Sequence, residues 1–326
     1  MKLATGEPSD PLGRRLAKAA TGVGAVVPLP SLRLRARQRA FWMLLLLPAL
    51  ALAALLLVYP LYLVLDTSLR SITILSPAAL STSRVTAANF DHLLHDPQLG
   101  TSLGVTAVYT SATTALSFVV GLLLALLLNK KFVFRGLFRK LLLLPWAVPP
   151  VVAGYLFLWL FNASYGVIDY LLAQLHISHI PWLASTHWSL PGIVLATSWE
   201  FYPLFCLMIL SALQVIPIDY YEAAHLDGAG AWQRFRFVTW PAIRAVSYFV
   251  SVLGAFGIFG EFAVIYTMTD GGPGASTETL GVYIYNLAFQ LFQIGYGSAL
   301  GLAVFVVCVV AVLIAYPRFK RTLWRA

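Results

Sequence analysis

The sequence predicts an all-α, polytopic membrane protein with six transmembrane helices. Two observations support this fold class: the length of the apolar runs and the uneven distribution of basic residues between them. The chain is 60% hydrophobic and 11% charged, whereas soluble globular domains are about a quarter charged. Several apolar runs reach twenty or more residues, which is enough to cross a hydrocarbon core of about 30 Å.

The first apolar run is predicted to be an uncleaved span. It is too long for the hydrophobic region of a signal peptide, and no small-residue cleavage site follows it. A short outer segment, 88–97, has the pattern of an interfacial amphipathic helix. The six predicted spans are 41–65, 103–128, 141–161, 190–215, 243–268 and 295–316.

These runs divide the chain into four parts. We expect a basic tail over 1–40, the first span with the outer interfacial helix over 41–102, a core of five spans over 103–316, and a second tail over 317–326. The core includes a patterned polar loop at 216–242.

Basic residues alternate between the connections. If six spans cross the membrane, twenty of the 22 Lys and Arg residues fall on one side, and only Arg70 and Arg84 fall on the other. The positive-inside rule then places both termini in the cytoplasm. The same rule accounts for the net charge of +9, so the charge does not indicate a nucleic-acid-binding protein.

Several other classes of site are not predicted. Cys206 and Cys308 lie in different apolar runs and are interpreted as small packing residues rather than a disulfide or metal pair. His176, His179 and His187 are interpreted as solvated loop residues, and no metal site is expected. The chain has no HExxH, Gly-x-Ser-x-Gly or GxxxxGK[ST] motif, so it is expected neither to be an enzyme nor to cradle a phosphate itself.

The loop 216–242 predicts two short helices on the basic side. Asp219 and Glu222 have the spacing of a capping box, which predicts a helix over 220–227. Gly228 then takes the place of a glycine that ends a helix.

The loop also carries residues suited to a protein contact. Gly230 adds a break, and Pro241 suits the first turn of the fifth span. Ala223 and Ala224 leave a smooth surface, and aromatic residues follow them. An ordinary loop with interfacial aromatic residues explains the same composition.

Two acidic residues lie inside apolar runs, Glu200 in "TSWEFYP" and Glu261 in "FGEFAVIY". An ionisable group at membrane depth is costly and usually faces a cavity or a partner. Apart from Arg244 at the edge of the fifth run, no Lys or Arg lies within the six runs. This favours a wet cavity, although a structural ion pair or a helix cap remains an alternative. Carboxylates beside aromatic rings suit sugars, and two acids without a base disfavour an anionic substrate.

The loop closely resembles the EAA loop of importer-type ABC transporter permeases. The matching residues are Glu222, Ala223, Ala224, Gly228, Val238 and Pro241. Trp240 departs from the pattern, because the family usually has Leu there. The run "EAAHLDGAGAWQRF" and the stretches 135–169 and 266–301 resemble the carbohydrate branch, within the family of the larger maltose permease subunit.

The resemblance implies a type I ABC importer permease fold with short cytoplasmic coupling helices, in a bacterial or archaeal cytoplasmic membrane. It also implies that the loop docks on a separate ATP-hydrolysing subunit, so that ATP and Mg belong to partner chains and this chain holds no cofactor. The implied partners are a second, related permease subunit in a heterodimer, two ATP-binding subunits, an extracytoplasmic sugar-binding protein, the sugar and membrane lipid. The implied coupling residues are Glu222, Ala223, Ala224, Asp227, Gly228, Phe235 and Pro241.

By the same resemblance, two spans and one outer turn contribute to the substrate route. The substrate pathway is expected to include Glu200, Phe201, Leu204, Gly254, Ile258, Glu261 and Ala263, with Glu261 contributing more than Glu200. The turn expected to contact the binding protein is Gly271, Gly272 and Pro273.

The expected function is that of the permease subunit of an ATP-driven, binding-protein-dependent importer, forming half of the pathway for a neutral di- or oligosaccharide by alternating access. Two alternatives remain open. One is import of a glycerol phosphate ester, polyol or uronate oligosaccharide by the same fold. The other is an ion-coupled secondary transporter that uses Glu200 or Glu261 as its ion site.

Overall fold

The computed structural model describes residues 32–72 and 83–323, with side chains over 41–72 and 83–314. Most of the predicted basic tail and the last three residues of the second tail therefore lie outside the described residues. The described part is helical, and its only β pairing is an isolated bridge between Arg70 and Val85. The helices are α1 Leu32–Ser68, α2 Ala88–His95, α3 Pro97–Asn129, α4 Arg135–Leu141, α5 Leu144–Ala147, α6 Pro150–Leu160, α7 Val167–Gln174, α8 Ser189–Gln214, α9 Ile218–Leu226, α10 Ala231–Arg234, α11 Trp240–Phe259, α12 Ala263–Thr269, α13 Leu280–Tyr285 and α14 Ile294–Leu323.

Five stretches of the described chain are long and apolar enough to cross a membrane. They are Phe41–Ser68, Pro97–Asn129, Ser189–Val215, Ala231–Phe259 and Ile294–Ile314. A bent pair, Arg135–Ala147 with Pro150–Leu160, becomes the sixth if it is counted as one span. The helical class and the helix predicted near 88–97 are confirmed.

The third predicted span is not a straight helix over 141–161. The helices on either side of its break differ in direction by 98°. Val148 and Pro149 are both extended, with ψ of 128° and 139°, because a residue that precedes a proline avoids the α conformation. Pro150 then starts α6, where its missing N–H costs nothing. Two consecutive prolines thus turn one apolar run into a broken helix.

The fifth predicted span, 243–268, also has different ends. Its helix starts as early as Ala231 and stops at Phe259, and α12 is a separate helix. Gly260 forms the C-terminal cap of α11, and Glu261 caps the next helix instead of continuing the first. Hydropathy alone could not show this break, because the residues on both sides of it are apolar.

Small and polar side chains allow α3 and α8 to pack closely. The buried face of α3 recurs every three or four residues: Ser102, Thr106, Tyr109, Thr113, Ser117, Gly121, Ala125 and Leu128. A Cβ atom added at Gly121 would lie 2.6 Å from the Cβ of Phe205, so only glycine permits this approach. Such small-residue contacts are typical between membrane helices, where lipid provides no hydrophobic driving force. α8 also packs on α11, and α12 packs on α6.

The chain divides into two compact units at Leu61. The N-terminal unit contains the first part of α1, whose apolar side chains are exposed; Leu44, for example, is 69% exposed. The second unit starts at Tyr62 and contains the elements of the candidate site.

Candidate coupling loop and membrane polar site

The first helix of the 216–242 loop is α9. It starts at Ile218 with Pro217 as its N-cap, and no side chain caps it. The predicted capping box of Asp219 and Glu222 is therefore wrong: the chain turns at Pro217, two residues before Asp219, and Asp219 already lies in the first helical turn. There its negative charge still interacts favourably with the positive end of the helix dipole.

The end of α9 is a Schellman motif, as Gly228 predicted. Gly228 has φ of +77°. Its N–H donates to the carbonyl of His225 at 3.0 Å, and the next N–H, of Ala229, donates to the carbonyl of Ala224 at 2.9 Å. A Cβ atom at Gly228 would meet no atom of the described residues within 4 Å. The glycine is thus required within this chain for its backbone conformation, and the space around it stays open to a partner.

The second half of the loop runs directly into the fifth span. Gln233 Oε1 accepts a hydrogen bond from the Gly230 N–H at 2.7 Å, which caps α10. A π-helical turn over Phe235–Thr239 then joins α10 to α11, and Pro241 lies in the first turn of α11. α10, the π turn and α11 therefore form one continuous rod from the loop into the membrane. π turns of this kind are frequent at functional sites.

One hydrogen bond connects the two halves of the loop. The hydroxyls of Tyr221 on α9 and Thr239 in the π turn are 3.0 Å apart, and Thr239 is buried. This hydrogen bond joins α9 to the turn that leads into α11.

The solvent-exposed surface of this loop is partly apolar. Glu222, Ala223 and Asp227 are exposed. Leu226 is 87% exposed, and the ring of Trp232 stacks on that of Phe235 with centroids 5.6 Å apart. Exposed apolar side chains with acidic neighbours indicate a protein docking surface.

Within the membrane, Glu200 on α8 is a buried carboxylate with an unused oxygen. It is 7% exposed, and its Oε2 is buried with no hydrogen-bond partner among the described residues. A buried acceptor without a donor is costly, and so Glu200 is the strongest candidate for a polar contact with a passing substrate.

Two polar residues beside Glu200 were missed by sequence reasoning. The hydroxyl of Tyr109 on α3 donates to Thr197 Oγ1 at 3.1 Å, and both residues are buried. Tyr109 is near enough to Glu200 and Glu261 for electrostatic interaction. The available signal was the spacing of Thr106, Tyr109 and Thr113, which is that of one helix face.

Glu261 has a structural role. Its Oε1 accepts a hydrogen bond from the backbone N–H of Val264 at 3.1 Å, which caps the start of α12. It is half-buried and interacts electrostatically with Glu200. The structure therefore brings the two acids into one region, but Glu261 already accepts a hydrogen bond from within the chain.

The other predicted pathway residues divide into two groups. Phe201, Leu204 and Ala263 are half-buried. Gly254 and Ile258 are fully buried on the face of α11 that packs on α8, and a Cβ atom at Gly254 would lie 2.4 Å from the ring of Phe205. In this conformation those two residues contribute to helix packing and do not line an exposed surface.

Four aromatic rings follow Glu261 in a chain of ring contacts. Phe262 stacks on Tyr266 with centroids 5.1 Å apart, and Tyr285 lies 4.8 Å from both of them. Phe289, 66% exposed, follows 5.1 Å from Tyr285. The cluster joins the start of α12 to the end of α13 and to the π-helical turn Asn286–Gln290 that follows it, so the linear sequence did not reveal it.

The predicted turn at Gly271, Gly272 and Pro273 is present after α12. The N–H of Gly272 donates to the Thr269 carbonyl at 2.8 Å, and Gly271 has φ of +85°. The fully buried Thr277 donates to the Gly272 carbonyl at 2.8 Å and holds the turn in place.

An acidic network lies beside this turn, at the start of α3. Asp96 accepts hydrogen bonds from the hydroxyls of Tyr283 and Tyr296 and from the Gln98 N–H. Burial acts to raise the pKa of Asp96, but these hydrogen bonds outweigh it and hold the pKa below its usual range. Nearby, Glu278 accepts a hydrogen bond from Gln98, so the network ties the N-terminal end of α3 to the segment after the turn.

One of the three loop histidines lies close to an acidic side chain. Nδ1 of His179 is 2.9 Å from Oδ2 of Asp169. Among the described residues, no group of three or more His, Cys, Asp or Glu side chains is arranged to hold a metal ion.

The chain matches the family model of the binding-protein-dependent transport system inner membrane component over residues 117–322. The sulfoquinovosyl glycerol transport system permease protein SmoG of Agrobacterium fabrum is 36% identical over 85% of this chain and 90% of that protein. The trehalose/maltose transport system permease protein MalF of Thermococcus litoralis is 33% identical over 72% of this chain and 79% of that protein.

A solved structure shares the fold. It is a chain of a bacterial ABC transporter involved in the import of the acidic polysaccharide alginate, with a TM-score of 0.75 and 22% identity over 89% of this chain and 99% of that chain. A second structure, of a bacterial alginate ABC transporter in complex with its pentasaccharide-bound periplasmic protein, gives a TM-score of 0.74.

Proposed function

Because the chain belongs to the family of binding-protein-dependent transport system inner membrane components, we propose that it forms half of the translocation pathway of an ATP-driven sugar importer. It is a multi-pass transport subunit with the fold of ABC importer permeases. The other half of the pathway is a second, related permease chain. Two ATP-binding subunits hold ATP and Mg and dock on the 216–242 loop, and an extracytoplasmic binding protein delivers the sugar at the opposite face. Both termini lie in the cytoplasm.

The loop geometry supports the coupling role. An ATP-binding subunit that closes would push on α9, and the Tyr221–Thr239 hydrogen bond passes that displacement to the π turn. The π turn is continuous with α11, which packs on α8. Since α8 carries Glu200, movement at the loop reaches the polar site. ATP closure would in this way shift the two-state equilibrium of the pathway.

The substrate class proposed is a neutral di- or oligosaccharide, and the aromatic cluster from Phe262 to Phe289 carries this proposal. Aromatic faces cover the apolar faces of sugar rings, and carboxylates accept from sugar hydroxyls. Here half-buried rings adjoin Glu261, and Asp270 and Gln290 lie at the rim of the cluster. The trehalose/maltose name of one relative agrees with a neutral sugar.

Import of an acidic sugar derivative is the second candidate. Its support is the names of SmoG and the alginate transporter, both of which denote negatively charged substrates. Glu200 and Glu261 argue against this candidate, because two carboxylates in the pathway would repel an anionic substrate. No Lys or Arg of this chain between residues 97 and 129 or between 189 and 214 offsets them.

Uptake into reconstituted vesicles tests both the ATP-driven mechanism and the substrate class. The complex, with its ATP-binding subunits and binding protein, should accumulate a labelled neutral oligosaccharide when ATP is supplied and no ion gradient is present. Uptake that needs an ion gradient and ignores ATP would support the ion-coupled alternative. ATP-driven uptake of a uronate or sulfonate glycoside in preference to neutral sugars would overturn the substrate class and leave the coupling mechanism intact.

A further inference from the structure

A basic pocket lies on the same side of the molecule as the 216–242 loop. Its volume is about 540 Å³, and its walls include Lys131, Arg135, Arg139, Gln214, Ile218 and Tyr221. The three cations come from the connection after α3, and Gln214 ends α8. Ile218 and Tyr221 belong to α9. The pocket therefore lies where two spans meet the proposed coupling helix.

The cations of this pocket are not paired within the described chain. No ion pair joins Lys131, Arg135 or Arg139 to a carboxylate among the described residues. The Nε atoms of both arginines and one terminal nitrogen of Arg139 are buried without a hydrogen-bond acceptor there. Because buried donors without acceptors are costly, these side chains favour an arrangement in which an anion supplies the acceptors.

Helix α4 next to the pocket has the surface of a membrane-interface helix. Arg135 and Arg139 lie four residues apart on it and share one face. Apolar side chains on the rest of the segment are exposed: Phe134 is 71%, Leu137 54% and Phe138 50% exposed. A helix with a basic face and exposed apolar residues lies in the headgroup region of a bilayer.

We propose that this pocket binds the phosphate group of an anionic phospholipid in the leaflet on the loop side. Guanidinium groups match phosphate oxygens in geometry and charge, and basic pockets between membrane helices bind such headgroups. The exposed apolar residues of α4 place acyl chains beside the pocket, which favours a lipid over a soluble anion. A headgroup there contacts Ile218 and Tyr221, so lipid binding positions α9 at the membrane surface. This site is independent of the sugar pathway.

The test uses the purified transporter complex in neutral detergent, stripped of lipid. Bound lipid is measured by native mass spectrometry and by the thermal unfolding midpoint, with phosphatidylglycerol, phosphatidylcholine or inorganic phosphate added. Phosphatidylglycerol should bind and raise the midpoint, whereas phosphatidylcholine and millimolar phosphate should not. The double variant Arg135→Gln/Arg139→Gln should weaken phosphatidylglycerol binding about tenfold or more, because each basic side chain near an anionic surface contributes roughly a factor of five.

Two further variants keep the test decisive. Lys140→Gln removes an exposed charge of the same connection that does not line the pocket, and it should bind lipid as the parent does. Arg139→Lys keeps the charge and should retain most binding, which gives a measurement even if the double variant fails to assemble. Equal losses in Lys140→Gln and the double variant, an equal shift with free phosphate, or no binding of phosphatidylglycerol by the complex would each overturn the proposal.

Discussion

At the level of single residues, the two membrane acids differ in what the chain already provides for them. One oxygen of Glu261 accepts a hydrogen bond at the N-terminus of α12, whereas Glu200 has a buried oxygen with no partner among the described residues. The sequence placed both acids in the pathway and favoured Glu261. The hydrogen bonds lead us to expect the opposite order, because a carboxylate without an internal partner has more to gain from a substrate hydroxyl.

We expect Glu200→Gln to weaken sugar uptake while leaving complex yield and basal ATP hydrolysis near the parent level. A charged hydrogen bond contributes about 1.5–3 kcal/mol, so its loss should raise the half-saturation concentration roughly tenfold or more. Uptake by reconstituted vesicles as a function of sugar concentration measures this change. Glu261→Gln is the matched control, since the amide oxygen can still cap α12, and its effect on uptake should be smaller. Normal uptake in Glu200→Gln would remove this acid from the substrate site.

Asp96 predicts an acid-sensitive step in stability. Its pKa in the folded chain is lowered, so its ionised form stabilises the fold above the unfolded-state pKa, and this contribution is lost as the pH falls through the folded-state value. Tyr283→Phe removes one of the hydrogen bonds. The parent should lose more thermal stability than Tyr283→Phe between pH 7 and acidic pH, as measured by unfolding in detergent. Tyr285→Phe, whose hydroxyl lies outside the Asp96 network, serves as the control; equal pH dependence in all three proteins would contradict the role of Asp96.

At the level of elements, the 216–242 loop shows which features a sequence predicts well. Gly228 predicted the end of α9, because a positive φ leaves glycine as the natural choice. The start of α9 was misplaced, because the last extended residue before the helix is Pro217 and not Asp219. The break before Glu261 and the aromatic cluster were also missed. Both depend on which residues meet across the fold, and local pattern carries no such information.

Substitutions at Gly228 separate backbone strain from partner contact. Gly228→Ala places a Cβ on a backbone with φ of +77°, which costs about 1–2 kcal/mol, although no atom in the described part of the chain lies within 4 Å of that Cβ. Gly228→Asn tolerates this conformation better, and Gly228→Asp adds a charge at the docking surface. We expect complex assembly to survive in all three variants, with sugar-stimulated ATP hydrolysis impaired most in Gly228→Asp. Normal stimulation in Gly228→Asp would show that this turn does not face an ATP-binding subunit.

At the level of the whole molecule, hydropathy and charge predicted the helical class, the approximate position of most spans and the loop that separates the fourth from the fifth. The third span could not be predicted as broken from hydropathy, because Val148, Pro149 and Pro150 lie within an apolar run. Membrane orientation rests on a physical bias, the distribution of Lys and Arg. It is therefore a separate prediction that needs its own measurement.

Orientation can be measured with one cysteine on each side of a chain in which Cys206 and Cys308 are replaced by alanine. Ala231→Cys lies on the exposed start of α10, and Ala163→Cys lies on the exposed connection after α6. A membrane-impermeant thiol reagent should label Ala163→Cys in intact spheroplasts and label Ala231→Cys only after the membrane is opened. Sugar uptake by both variants confirms that the labelled protein is functional, because an inactive chain could be inserted wrongly. Labelling of Ala231→Cys in intact spheroplasts would place the 216–242 loop outside, where no ATP-binding subunit could reach it. That result would refute the coupling mechanism together with the orientation.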